Sequence, residues 1–361
     1  MVYYFTGSNI FGQWMCEDVV VNKFSLVSLE KQDLDNSLCV TDLVQINWSY
    51  NIIKKNESFY ISGAWNGQEH QFIKIPLPTD HSVTEEELIV AGNDYRVVLI
   101  CKNINTIWVL DLKKEAEFKK INLNIEEPYE YVIKKQKIDK FLTKVAIRNE
   151  SCLYLTLGGD VYSGLLPSYV DTRHCKGKIC DVQCGYEHYV ALTDEGRVYT
   201  WGNGRRLQLG HGDISNQDLP TEIDALAGIK ITKISANGWH TLALSIFGDV
   251  YAWGWNDTGQ LGINNLNKEC SGSYSVPTLI DLYDGNQKEV NKNIKDIACG
   301  SRHSAILLED NSVWTTGCNK YGQLGFSEEK YTKVKYFKKA FSSDGNCSLM
   351  CGPWNTVIIT N

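Results

Sequence analysis

Three histidines recur with similar neighbours: His188 in GYEHYVAL, His240 in NGWHTLAL and His303 in GSRHSAIL. An imidazole changes charge near neutral pH and binds metals, so repeated histidines raise the question of a proton-transfer or metal site. A second group, His174, Cys175, Cys180, Cys184 and His188, has the residue types of a zinc site. Zinc ligands usually come as C-x-x-C pairs or regularly spaced histidines, and the steps here are irregular. The three histidines also sit in separate copies of one repeat, and Asn355 fills the corresponding place in a fourth. That pattern predicts a structural hydrogen bond between neighbouring units. No nucleophile elbow, phosphate loop or carboxylate pair occurs in a convincing context. Gly202-Asn203-Gly204 lacks the surrounding βαβ unit of a dinucleotide site, and Glu85-Glu86-Glu87 reads as a solvated loop. The expectation is therefore a non-enzymatic chain with no catalytic residue, cofactor or metal.

The unit that carries the histidines is clearest at Ile234 to Gly262, ISANGWHTLALSIFGDVYAWGWNDTGQLG. Thr241 to Leu244 and Val250 to Trp253 are short apolar runs. Gly248-Asp249 between them supplies the turn chemistry of a tight hairpin, so they read as paired antiparallel strands. Gly254 ends the second strand where a side chain would obstruct, and Asn256, Asp257 and Gly259 make a turn-rich loop. Further copies run from Val182 to Gly210 and from Ile297 to Gly325. His188, His240 and His303 are separated by 52 and 63 residues, and Gly202, Gly254 and Gly317 keep the same steps. Trp201 and Trp253 share one position, and Leu209, Leu261 and Leu324 another. Asn237 stands where the other copies have Gly185 and Gly300, which predicts a left-handed backbone there.

A strand-rich period of about fifty residues is one four-stranded propeller blade. The chain has 361 residues, more than one core usually supports. A propeller reaches that size because each blade packs only on its neighbours. The expected fold is all-β, a seven-bladed propeller. The blades fall near 45–67, 95–110, 144–164, 182–210, 234–262 and 297–325. The seventh joins 347–361 to 3–14, because YYFTGSNIFGQW near the start matches the second half of the unit and SLMCGPWNTVIIT near the end matches the first. Such sharing closes the ring and removes unpaired edges. Segments 111–143 and 264–293 read as insertions, the first with Lys134, Lys135, Lys137 and Lys140, a candidate anionic contact.

Net charge is −7, which disfavours general binding to a nucleic-acid backbone. No apolar run reaches membrane-spanning length. The beginning MVYYFTGSNIFG lacks a signal pattern, so the twelve cysteines are expected to be free thiols in a reducing compartment. Cys184, Cys299 and Cys351 share one repeat position with Ala236, which therefore calls for a small apolar residue.

Residues that vary where the scaffold is constant carry more functional information. Tyr186-Glu187, Gly238-Trp239, Ser301-Arg302 and Pro353-Trp354 precede the histidine position in successive copies. Pseudo-symmetry puts them on one face, around the channel mouth. Large aromatics and arginine suit interface anchors, so Trp239, Arg302, Trp354 and Glu187 are the candidate partner-binding residues, with burial between blades the alternative for the tryptophans. Trp255, which replaces nothing the scaffold requires, joins them.

The G-x-x-H-x-x-A-L run at Gly185 to Leu192, the W-G pairs at Trp201-Gly202 and Trp253-Gly254, and G-Q-L-G at Gly259 and Gly322 resemble the repeat of the regulator of chromosome condensation family. Its members are seven-bladed propellers. GWHTLALSIFGDVYAWGWNDTGQL, KYGQLG and the terminal CGPWNT are similar to one small member of that family. The likeness implies a non-enzymatic partner of a Jumonji-C lysine demethylase or hydroxylase, nuclear and chromosome-associated. It also implies roles in histone H3 methylation and chromosome segregation, with an arginine of the chain as a further candidate substrate. The family's best-known activity, nucleotide exchange on a small GTPase, uses a β-wedge and acidic loop contacts not found in this sequence. The founder's basic tail has no counterpart either, since Met1 to Cys16 contains no Lys or Arg.

Overall fold

The computed structural model describes residues 1–27, 29, 41–77, 88–101, 106–112, 118–122, 141–263 and 272–360. The lysines at 134, 135, 137 and 140 and the glutamates at 85–87 lie outside them. The described strands form seven four-stranded antiparallel sheets, the blades of a propeller. Blade five shows the plan: Ile231–Asn237, His240–Ser245, Val250–Gly254 and Tyr274–Leu279, paired in that order. The hairpin register pairs His240 with Gly254 and Leu244 with Val250. In its turn Gly248 alone takes the left-handed conformation, at φ +84°. The first strands of successive blades neighbour one another around the central channel. The closing blade pairs Val2–Ser8 with Asn355–Thr360, flanked by Val20–Val27 and Cys347–Gly352.

The fourth strand of a blade carries none of the landmark glycines or histidines. The span 264–293, read as an insertion, contains the outer strand Tyr274–Leu279, and 111–143 contains Phe118–Asn122. Blade two likewise starts earlier than 95, at Leu88–Gly92. The longer step between His240 and His303 comes from extra residues on both sides of an ordinary outer strand.

Apolar burial is divided rather than pooled. Seven clusters of buried side chains each bridge two adjacent blades. Trp253, fully buried, packs in the cluster between blades four and five, and its Nε1 donates to the Gln208 carbonyl at 3.0 Å. Trp201 is also buried and stacks on Tyr189 at 5.3 Å. The cysteines among the described residues are free thiols. Cys184 and Cys299 are buried against carbonyls of the preceding blade, Ala146 and Ser235.

Polar links run between the same blades. His188 Nε2 lies 3.2 Å from Thr241 Oγ1, His240 Nε2 2.9 Å from Ser304 Oγ, and His303 Nε2 3.1 Å from Thr356 Oγ1. Ser304 and Thr356 donate their own protons to the Gln260 and Gln323 carbonyls, both at 2.7 Å. Their oxygens must then accept from His240 and His303, which fixes the Nε2–H tautomer of each neutral ring.

Two kinds of close approach explain the glycines. At Gly254, with φ +102°, an added Cβ would lie 2.4 Å from the Trp239 carbonyl oxygen; Gly202 and Gly317 meet the Glu187 and Arg302 carbonyls in the same way. Gly185 and Gly300 differ from the expectation. Neither they nor Asn237 has a positive φ, which falls instead on Gly238 at +53°. What excludes a side chain at Gly185 and Gly300 is the histidine ring, whose Cε1 would stand 1.9 Å from the added Cβ. Asn237 carries a side chain at this position, and its Nδ2 donates to the Cys299 carbonyl of the next blade, at 3.3 Å.

Burial holds all three histidines below their ordinary range, His188 and His303 at about 4 and His240 at about 3. The unfolded chain binds protons near pH 6.5 that the folded chain refuses. This stability is fully present above that pH and is lost as pH falls toward 4. Thermal melts should show the midpoint dropping between pH 6.5 and pH 4.5, and less steeply in a His188→Asn/His240→Asn/His303→Asn variant, since Asn355 already fills this position in the closing blade. Equal slopes would remove the histidines from the explanation.

Candidate functional site: the channel mouth

In each blade the turn between the first two strands lies beside the loop that follows the third strand. The reason is the hairpin register: Trp255 N donates to the Trp239 carbonyl at 2.8 Å, and Cys318 N does the same to Arg302. These turns and loops together make one face of the ring.

At its centre the turns lean on one another. Tyr186 N donates to Gly238 O at 2.5 Å and Ser301 N to Pro353 O at 3.0 Å. The hydroxyls of Tyr186 and Ser301 meet at 2.8 Å, spanning blade five. Opposite, Asp94 accepts the backbone N–H groups of Trp48 and Ser49 at 3.0 and 3.2 Å. A cavity of about 180 Å³ remains, lined by Asp94, Arg148, Tyr186 and Trp354 among others. Burial raises the Asp94 carboxyl above its ordinary value, while the Trp48 and Ser49 amides and Arg148 oppose the rise. Burial likewise lowers the Arg148 guanidinium, against the pull of Tyr186 and Asp94. Asp94 and Arg148 thus put opposite charges on the wall of one cavity.

Around this centre lie two aromatic clusters. In the first, Trp239 stacks edge-on with Tyr186 and with Trp255, both at 5.1 Å. Arg206 covers both indoles, at 4.8 Å from Trp239 and 4.4 Å from Trp255. Arg302 stands over Trp255 at 5.1 Å and is paired with Asp257. In the second, Trp354 packs against Trp48 at 5.9 Å and Tyr321 at 5.3 Å, and Phe11 completes the group beside Trp48. Trp239, Trp255, Trp354 and Arg302 are all half-buried. They belong to the surface, not to the inter-blade cores.

Of the residues singled out from sequence, Trp239 and Arg302 meet through Trp255, and Trp354 lies in the neighbouring cluster. Glu187 stands apart: it is exposed, has φ +57°, and accepts from Asn203 Nδ2 at 2.9 Å. His188, His240 and His303 lie beneath the face. The other zinc-type residues are dispersed, with His174 on the Pro220 carbonyl and Cys180 on that of Leu192. Among the described residues no group of three His, Cys, Asp or Glu could hold a metal, and no helix is long and apolar enough to cross a membrane. Arg206, Tyr321, Trp48, Asp94 and Arg148 were missed. The first two could have been found from the His-to-Gly register alone, which sets the loop after the third strand beside the histidine turn. The last three lie in blades one to three, where the repeat has no sharp landmarks.

Comparison with known proteins places this architecture in a class. Models of the Regulator of chromosome condensation (RCC1) repeat match residues 195–244 and 248–307, and a second such model matches 179–208, 231–260 and 294–323. The chain is a seven-bladed β-propeller, and its residues 179–323 match RCC1 repeats. It is 31% identical over 216 residues to RCC1 domain-containing protein 1 of Mus musculus, covering 50% of this chain and 55% of that protein. It is 32% identical over 209 residues to the Homo sapiens protein of the same name, covering 49% and 55%. The chain thus spans about half the length of these relatives. The crystal structure of Prp20p from Saccharomyces cerevisiae, described with its binding properties to Gsp1p and histones, superposes with a TM-score of 0.73 at 17% identity over 99% of this chain and 90% of that one. This likeness concerns the fold.

Scaffold and surface tryptophans should separate by energy. Trp253→Ala empties a fully buried site between blades and should cost about 3–5 kcal/mol. Trp239→Ala, losing mainly surface ring and cation–π contacts, should cost about 1–2 kcal/mol. Urea unfolding of both variants checks the order; equal losses would make Trp239 a core residue.

Proposed function

We propose that the chain is a non-enzymatic scaffold whose channel-mouth face docks a protein partner. The observation that carries this reading is the half-buried cluster of Tyr186, Trp239 and Trp255 held between Arg206 and Arg302. Rigid aromatic surface framed by guanidinium groups forms the energetic centre of many protein interfaces. Trp354 and Glu187 extend the contact, Trp354 through its own cluster and Glu187 at the rim. The partner proposed is a Jumonji-C lysine demethylase or hydroxylase. The setting is the nucleus, where the complex would support control of histone H3 methylation and chromosome segregation. The similarity to RCC1 domain-containing protein 1 over half of the chain supports this reading. The chain would reach chromatin through its partner, since a net charge of −7 gives little attraction for a phosphate backbone.

A guanine-nucleotide exchange factor for a small GTPase is the second reading. The fold shared with Prp20p, studied for its binding to Gsp1p, favours it.

Affinity purification of the full chain with mass spectrometry, beside a Trp239→Ala/Arg302→Glu/Trp354→Ala variant, distinguishes these readings. The expected result is recovery of a Jumonji-C oxygenase and a loss of at least about tenfold in the variant, the scale of removing central anchors. Undiminished recovery by the variant would clear the mouth of this role. Accelerated nucleotide release from a purified GTPase would instead establish the second reading.

A further inference from the structure

The outer strands of blades four, five and six supply an internal comparison. Gln217–Glu222, Tyr274–Leu279 and Lys333–Ser342 pair with their blades in one register: Gly202 faces Gln217, Gly254 faces Tyr274 and Gly317 faces Val334. Two residues on, each strand presents an exposed apolar side chain: Leu219 at 52%, Val276 at 42% and Tyr336 at 49%. The scaffold therefore sets the backbone path and this outward position.

What surrounds the position differs. Asp218, Thr221 and Glu222 in blade four correspond to Ser275, Thr278 and Leu279 in blade five and to Lys335, Lys338 and Lys339 in blade six. From Lys330 to Phe341 there are five lysines and no acid, in a chain of net charge −7. Lys333, Lys335 and Lys339 are exposed and have no ionic partner among the described residues. Lys338 is engaged, donating to Tyr331 Oη at 2.7 Å.

The edge differs as well. Blades four and five carry Pro220 and Pro277 within their outer strands, a device that blunts a free strand edge. Blade six has Phe337 in that place, and its strand runs for ten residues rather than six. Blade four has a groove of similar size along its outer strand, about 590 Å³, but it is lined by Asp218 and Glu222 and bridged by His174, whose Nε2 lies 2.6 Å from the Pro220 carbonyl. In blade six the preceding hairpin, Tyr283 to Glu289, flanks the strand. A groove of about 570 Å³ is left between it and the strand, lined by Tyr283, Trp314, Tyr336, Phe337, Lys338 and Lys339 among others. Of the hairpin's two acids, Glu289 is not in the groove lining, and Asp284, which is, accepts from Asn286 N and Lys288 N of its own turn at 2.8 and 2.9 Å.

We propose that the outer strand of blade six, with this groove, docks an extended acidic peptide of a partner protein that carries a bulky apolar side chain. The open strand edge offers main-chain hydrogen bonds, the unpaired lysines match carboxylates, and the aromatic groove takes the apolar residue. A phosphate backbone is the less suitable occupant, because the basic residues border an apolar cleft rather than a continuous polar track. The surface is separate from the channel mouth.

Fluorescence anisotropy with the full chain tests the assignment. The probe is a labelled synthetic peptide of alternating Glu and Ser with one central Phe. Saturable, salt-sensitive binding is expected, weakened at least about tenfold by Lys335→Glu/Lys339→Glu. Removing the probe's Phe should weaken it too, and Lys335→Ala/Lys339→Ala should fall between. Near-UV circular dichroism confirms that the variants are folded. The Trp239→Ala/Arg302→Glu/Trp354→Ala variant should bind the probe normally, so failure here is distinct from failure at the mouth. Absent binding, binding indifferent to the lysine changes, or tighter binding of a single-stranded oligodeoxynucleotide of equal charge would overturn the proposal.

Discussion

The structure depends on a polar contact buried between blades. A neutral imidazole in one blade meets a hydroxyl in the next, and for His240 and His303 that hydroxyl donates a hydrogen bond to a carbonyl of the histidine's own blade. With no exposed surface, each ring has a large cost for charging and a large cost for losing its partner. The link is directional, which apolar contact is not. It sets the angle between blades, and the glycines answer to it: Gly185 and Gly300 make room for the ring, and Gly254 lets the hairpin close over the turn that carries it. The mouth follows from the same geometry, since Trp239 and Arg302 are the residues immediately before these histidines.

Much of the fold was legible because scaffold constraints repeat. A glycine that must approach a carbonyl, a tryptophan that must fill a gap between blades, and a hydroxyl that must meet a histidine leave the same letters at the same spacing. The outer strands were not legible in that way. Tyr274–Leu279 has one face on solvent and no invariant neighbour, so it resembled part of an insertion. The reading of Asn237 as left-handed treated an Asn-for-Gly exchange as evidence about φ. The structure shows that Gly185 and Gly300 are required by space beside the histidine ring rather than by φ.

The mouth was half legible. Variation against a constant background pointed to Trp239, Arg302 and Trp354, and the hairpin register could have added Arg206 and Tyr321. Asp94 and Arg148 left no such trace. They occupy blades in which the repeat letters have faded, and their importance comes from converging across the channel, a relation between blades that linear spacing does not record. The lysines of the last outer strand had the opposite problem. They were visible as letters, but their meaning depended on knowing that Asp218 and Ser275 occupy the same place in sister blades.

The seven divided cores have a mechanical consequence. In a linear stack, separating one interface frees everything beyond it. In a closed ring, parting one interface leaves the two bared surfaces tethered by all the others, at a high effective concentration for rejoining. An isolated opening is therefore short-lived, and no blade can leave until a second interface parts while the first is open. Ring closure converts seven modest contacts into a structure whose lifetime is set by coincidence.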